Sequence, residues 1–303
     1  MINWKISYYG RLVVEKLMCI TRTYFIQELF KKTINRHSAV DEFFVINRID
    51  KKLRELEPII ASLNIKVIYE QGTGWHGVDL LVFYLLGCKV FTSDVRGLLK
   101  GELVIKSMRI LVENRHKFSK YEKKINRMEG FFDLTIEQLL NKIDVNYYVN
   151  DDFNKIIFPH SVGQGLYYSD SVLQRMKNKD LIAYINNSKK MLPECCYHLH
   201  VIDSKDFFSI GKETVVPPLY YLKINSLLWD FLTCKKLNYQ NRLRVSEFKK
   251  IFEKNGFVVD VSNVNTLPDC LEYVTKTPIT ISGMDSEDIA VTNFTLLAKN
   301  YCI

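Results

Sequence analysis

Between Ile65 and Asp94 the chain runs through a short β-branched stretch, a glycine turn, an apolar stretch and a second β-branched stretch, and few architectures accept that order. Residues 65–70 (IKVIYE) predict a strand that stops at Gln71-Gly72-Thr73-Gly74. Residues 78–86 predict a helix closed by Gly87, a residue suited to the left-handed conformation that ends helices. Residues 89–93 (KVFTS) predict a second strand that ends on Asp94. Strand, turn, helix and strand make a βαβ unit, which requires a parallel sheet. Further strands are expected at 144–149, 165–169, 195–202, 257–261 and 290–298, with helices at 171–190 and 245–255. The expected fold is α/β, with a doubly wound, mostly parallel seven-stranded sheet of Rossmann-like type. Residues 1–62 read as an N-terminal helical extension, because Leu12, Val13, Leu17 and Ile20, and later Ile49, Leu53, Leu56 and Ile60, recur at helical steps. Residues 63–303 form the expected α/β domain, with a helical insertion at about 96–143 after the second strand.

Composition decides compartment and partners. The chain is 47% hydrophobic and 25% charged, which supports a sizeable core. Of the net charge of +8, the segment from Arg96 to Arg127 supplies ten Lys and Arg less three acids, or +7. A solvated helix face is the first reading of so local an excess; a phosphate-bearing ligand or an anionic membrane surface is the second. The basic segment lacks the interleaved aromatics of a single-strand groove, so no nucleic-acid partner is expected. The seven cysteines contain no CxxC pair, so reduced thiols and no metal site are expected. With no secretory signal and no stretch of 18 uncharged apolar residues, the expected location is the cytoplasm, without a transmembrane segment. Peripheral membrane contact and oligomeric state are left open.

The glycine turn carries the most specific chemistry. Gly72, Gly74 and Gly77 spell GxGxxG, the dinucleotide fingerprint, with Asp94 about twenty residues on as a ribose partner. The same residues read as E-x-G-x-G, starting from Glu70. Here the sequence resembles class I S-adenosylmethionine-dependent methyltransferases, and the run VIYEQGTGWHGVDLLVFYLLGCKVFTSD looks like their cofactor-binding start. More narrowly it resembles methyltransferase-domain proteins of bacterial surface-polysaccharide synthesis, which favour G-T-G-W-H followed by an apolar Y-L-L-G helix. Residues 168–176 (YSDSVLQRM) resemble that group's S-x-S-V-L-E-H-I, residues 200–206 (HVIDSKD) its H-x-I-D-x-x-D, and residues 241–244 its N-R-L-R. The likeness runs from about Leu63 to Ala298.

The resemblance implies S-adenosylmethionine as cofactor, held by Glu70, Gly72, Thr73, Gly74, Trp75, Asp94 and Ser169. It implies transfer of the methyl group to a small or glycan-linked acceptor, a sugar hydroxyl in surface-polysaccharide synthesis. Two departures stand out. Gln174-Arg175 replaces the pattern's Glu-His, and no stretch after the third strand marks the adenine contact, for which Asp151 and Asp152 are the candidates. A nicotinamide-dependent oxidoreductase and a non-catalytic cofactor-binding module are the alternatives.

A sugar hydroxyl calls for a general base, worth roughly 10²–10⁴ in rate. His200 is the expected base and Asp203 its partner, since both fall at the end of the fifth strand, where open α/β sheets bind ligands. His198 shares the face of His200 and is an equal candidate by position. Arg242 and Arg244 read first as helix-start charges and second as a clamp for an anionic acceptor group.

Overall fold

The computed structural model describes residues 4–21, 23, 40–149, 164–191, 196–209, 215–234, 239–277, 279 and 284–300. The α-helices are α1 (Trp4–Thr21), α2 (Glu42–Ser62), α3 (Val78–Leu86), α4 (Gly101–Glu113), α5 (Glu122–Arg127), α6 (Ile136–Lys142), α7 (Asn178–Met191), α8 (Ser226–Leu232), α9 (Val245–Lys254), α10 (Pro268–Lys276) and α11 (Ser286–Ala290). The strands are β1 (Val67–Gln71), β2 (Lys89–Asp94), β3 (Val145–Val149), β4 (Gly165–Asp170), β5 (Cys196–Asp203), β6 (Val258–Thr266) and β7 (Val291–Lys299). They form a seven-stranded sheet in the order β3-β2-β1-β4-β5-β7-β6. β2 pairs in parallel with β1 and with β3, whereas β6 and β7 are antiparallel. This is the expected doubly wound α/β sheet. Its order reverses direction beside β1, and in open sheets such a switch point is where ligands gather.

The chain divides into two compact units. One comprises residues 31–168, 187–197 and 302–303. Its centre is β1, buried along its whole length as a strand covered on both faces should be. Tyr69 stacks on Phe91 and Tyr167, with ring centroids 5.6 and 4.9 Å away. α2 starts at an Asp41 cap, whose side chain accepts the Phe44 N–H at 2.7 Å. It buries Val45, Ile49, Leu53, Leu56 and Ile60. The basic segment spends much of its charge inside this unit. Lys117 and Lys120 pair with Glu42 and Glu57 of α2, and Arg115 pairs with Glu129. Lys124 donates to the Tyr84 and Leu85 carbonyls at the C-terminus of α3, where a cation is favoured.

The other unit comprises residues 1–30, 169–186 and 198–301. Tyr8 and Leu12 of α1 join Tyr221, Leu222 and Trp229 in its core. Asp206 is fully buried and accepts from Tyr8 Oη (2.7 Å), Phe208 N (2.9 Å) and Tyr221 N (3.0 Å), which pins α1 to the chain beyond β5. Arg244 is equally buried. It donates to Tyr221 Oη at 2.6 Å and to the carbonyls of Leu243, Ser204, Ile289 and Val291, so its guanidinium is committed to holding backbone.

Two expectations change. α8, α10 and α11 are helices beyond those expected from the sequence. The expectation of reduced thiols fails at one pair: Cys19 of α1 is disulfide-bonded to Cys234, across a sequence separation of 215. Packing of α1 beside α8 brings the two together, which spacing in the sequence cannot reveal. Cys88, Cys196 and Cys270 are buried, as expected.

Candidate functional site

The glycine turn leaves β1 beneath a set of buried polar groups supplied by β2. Register places Glu70 opposite Thr92 and Gln71 opposite Ser93. Thr92 Oγ1 donates to Glu70 Oε2 at 2.5 Å and also meets the Thr73 hydroxyl, so one threonine links the strand's acid to the turn. Ser93 Oγ donates to Gln71 Oε1 at 2.9 Å, and Gly72 N donates to the Ser93 carbonyl at 2.7 Å. The turn is thus fastened along one edge to β2.

Two glycines in it are needed for different reasons. Gly77 has φ +57°, and a Cβ there would meet Leu99 and Val104 methyl carbons at 3.1 Å, so helix packing demands the glycine. Gly74 has φ +72° with open space where its Cβ would stand. There the backbone can approach a ligand closely.

Asp94 ends β2 and faces this turn. It is 4% exposed, and its Oδ2 accepts from Gly74 N at 3.1 Å and from Tyr147 Oη at 3.5 Å. Both bonds fall on one oxygen, which leaves Oδ1 with acceptor capacity. Burial pushes its carboxyl up to about 7, against the opposing pull of Gly74 N–H and Tyr147. Burial, with Asp79 as a like charge nearby, pushes Glu70 up to about 8. Two carboxyls near neutrality in one turn favour a ligand that brings positive charge and hydroxyl donors.

The helix that follows is braced from α2. Asp79, in the first turn of α3, takes a two-pronged bond from Arg48, Nε to Oδ1 at 2.8 Å and Nη2 to Oδ2 at 2.9 Å. Tyr168 Oη donates to the same Oδ2 at 3.3 Å. Burial pushes Asp79 up, but Arg48, Lys52 and Tyr168 outweigh it and its net shift is downward. One turn earlier in α2, Phe44 packs on the His76 ring at 5.1 Å. Trp75 lies under the Lys100 ammonium, 5.7 Å from the ring centroid. The arginine, the tyrosines and Thr92 were not singled out from sequence, because their partners lie 22 to 89 residues away.

Ser169 and His200 come together elsewhere. Ser169 Oγ meets His200 Nδ1 at 2.8 Å, and His200 Nε2 meets His198 Nδ1 at 3.0 Å. Ser169 and both rings are completely buried. The histidines lie among Tyr184, Phe252 and, beside His198, Phe257. Burial lowers His200 to about 3 and His198 well below its usual value, so both are neutral. Asp203 does not join them. Side chains alternate along a strand, so positions 200 and 203 of β5 face opposite ways. The Asp203 carboxylate instead accepts from Lys205 N at 3.0 Å and closes a turn. Arg242 Nη2 donates to the Tyr221 carbonyl at 2.9 Å and to that of Ile224. Arg175 stacks on Phe207 at 4.3 Å. Asp151 and Asp152 lie outside the described residues.

No family model matches the sequence, and a search of the curated proteins finds no match. Among solved structures, the chain is similar to an S-adenosylmethionine-dependent methyltransferase from Archaeoglobus fulgidus, with 11% identity over 90% of this chain and 99% of that one, at a TM-score of 0.46. It is also similar to a Nostoc punctiforme protein described as a putative O-methyltransferase, with 9% identity, 82% and 56% coverage and a TM-score of 0.43. A Haemonchus contortus phosphoethanolamine N-methyltransferase gives 12% identity, 79% and 49% coverage and a TM-score of 0.41.

Proposed function

We propose that the chain is an S-adenosylmethionine-dependent methyltransferase that holds its cofactor on the turn at 70–77. The observation that supports this most is the pairing of open space at Gly74 with a buried Asp94 that ties down the same turn and keeps one oxygen available. The residues suit the group. Asp94 can accept two ribose hydroxyls, and Glu70 supplies carboxyl character under the end of the turn that would face the ligand's ammonium. A pyrophosphate fits less well, because Glu70, one residue before the end of β1, opposes phosphate charge and Trp75 is bulky where the helix must approach.

When bound, the cofactor supplies a methyl group already activated on a sulfonium, so the protein chiefly aligns the acceptor and excludes water. For the acceptor we propose a sugar hydroxyl or other glycan-linked group, supported by the resemblance at 168–176, 200–206 and 241–244. Proton removal we assign to His200 acting through the Ser169 hydroxyl, with which it already shares a hydrogen bond. A ring with so low a pKa is a weak base. It suffices here, because a hydroxyl oxygen that has begun to bond carbon is strongly acidic, and the proton can leave late. Asp203 has no part in this step, since it lies on the other face of β5.

The test is transfer of isotope-labelled methyl to a panel of nucleotide sugars and lipid-linked glycans, run on wild type, Ser169→Ala and His200→Gln. Label in a glycan that falls roughly 10²–10⁴-fold in both variants, with cofactor affinity unchanged, supports the assignment. Full turnover in Ser169→Ala removes the histidine from the chemistry. Label found only in non-glycan acceptors removes the glycan.

A further inference from the structure

α1 is apolar on both of its faces. Its inner face carries Tyr8 and Leu12 into the core. Its outer face presents Ile6, Val13, Leu17 and Ile20, which are 68, 47, 54 and 67% exposed. These positions follow helical steps and form one stripe. α8 lies beside it and continues the stripe with Leu227 and Phe231, 79 and 68% exposed. The two helices are held in one piece. Lys16 Nζ donates to the Thr233 carbonyl at 3.4 Å and lies 5.6 Å from the centroid of the Phe231 ring, while the disulfide joins Cys19 to Cys234. A helix with a second apolar stripe left exposed opposite its buried face is covered in its working state, and a cluster of exposed apolar side chains marks an interaction surface.

The charge around the patch points to what covers it. The only acid of α1, Glu15, is buried and bonded to Arg11, so no acid is exposed on that helix. Lys5 and Lys16 flank one side of the stripe, and Asp230 is the single acid of α8. Along α1 as a whole, Lys5, Arg11 and Lys16 stand against Glu15, a net +2. Aliphatic side chains with a basic margin suit the headgroup boundary of an anionic bilayer. Among the described residues no helix is long and apolar enough to cross a membrane, so the contact is with the surface.

We propose that the paired outer faces of α1 and α8 dock this protein on an anionic lipid surface. This holds independently of what the glycine turn binds. The test is co-sedimentation of the full chain with vesicles of phosphatidylcholine alone and of phosphatidylcholine mixed in equal parts with phosphatidylglycerol. Wild type should partition onto the mixed vesicles and far less onto the neutral ones. Leu17→Gln and Phe231→Gln should each reduce partitioning about tenfold, the loss of one large apolar side chain from the interface. Val258→Gln, an exposed apolar residue on β6, should leave it unchanged. Since all three side chains are exposed, unchanged melting temperatures are expected and confirm folding. Failure to bind mixed vesicles overturns the proposal. So does sedimentation of the wild type as a dimer that Leu17→Gln dissociates, because the patch would then be covered by a second copy.

Discussion

Gly74 and Gly77 show how one residue type serves two physical demands within four positions. Adding a Cβ at Gly77 creates contacts at 3.1 Å with Leu99 and Val104 on top of a positive φ, so Gly77→Ala should destabilise the fold by about 1–3 kcal/mol in urea denaturation. Gly74→Ala meets nothing. It should cost only the strain of its φ, about 1 kcal/mol, yet weaken cofactor binding at least tenfold because its methyl group enters the ligand's space. The titratable residues have opposite signs. Glu70 and Asp94 have raised values, so the folded state holds protons that the unfolded state releases; that part of stability is present at low pH and is lost as pH rises to about 8. His198 and His200 are lowered, so their burial costs nothing while both states are neutral, and stability is lost as pH falls below the ordinary histidine range near 6.5. Between about pH 4.5 and 6.5 the two contributions oppose one another, so stability followed by chemical denaturation should fall below that window and again between about pH 6.5 and 8, and Glu70→Gln should flatten the loss on the alkaline side.

At the scale of elements, α2 and α3 are coupled by the Arg48–Asp79 pair and by Phe44 on His76. Arg48→Met should lower stability by about 1–3 kcal/mol, less than for a fully buried pair because the arginine is a third exposed, and should weaken cofactor binding by loosening the turn. Much of this region was legible in the sequence. A turn that needs positive φ within a few residues announces itself through glycines, and an acid at the next strand's end lies a fixed helix-length away. The His200–Asp203 pairing was misread although the signal was present, because a separation of three puts two strand residues on opposite faces. The brace from Arg48 and the Tyr147 bond to Asp94 left no local trace, since each joins residues brought together only by packing. α8 was missed because Leu227, Leu228 and Phe231 face outward, which breaks the pattern of a buried stripe.

For the whole molecule, the doubly wound, mostly parallel sheet was legible from the alternation of strand and helix, whereas the disulfide was not. Cys19–Cys234 closes a loop of 215 residues, and reduction should lower stability by about 2–4 kcal/mol, seen as a lower melting temperature in dithiothreitol and in Cys19→Ser alike. The central claim, that the turn at 70–77 with Asp94 binds S-adenosylmethionine, is tested most directly by calorimetric titration of wild type and Asp94→Ala with that cofactor, its demethylated product and NAD. Wild type should bind the first two and not NAD, with protons released near pH 7 as Asp94 and Glu70 ionise, and Asp94→Ala should lose at least tenfold in affinity. Binding of NAD alone, or binding of the cofactor that Asp94→Ala leaves intact, would contradict the account.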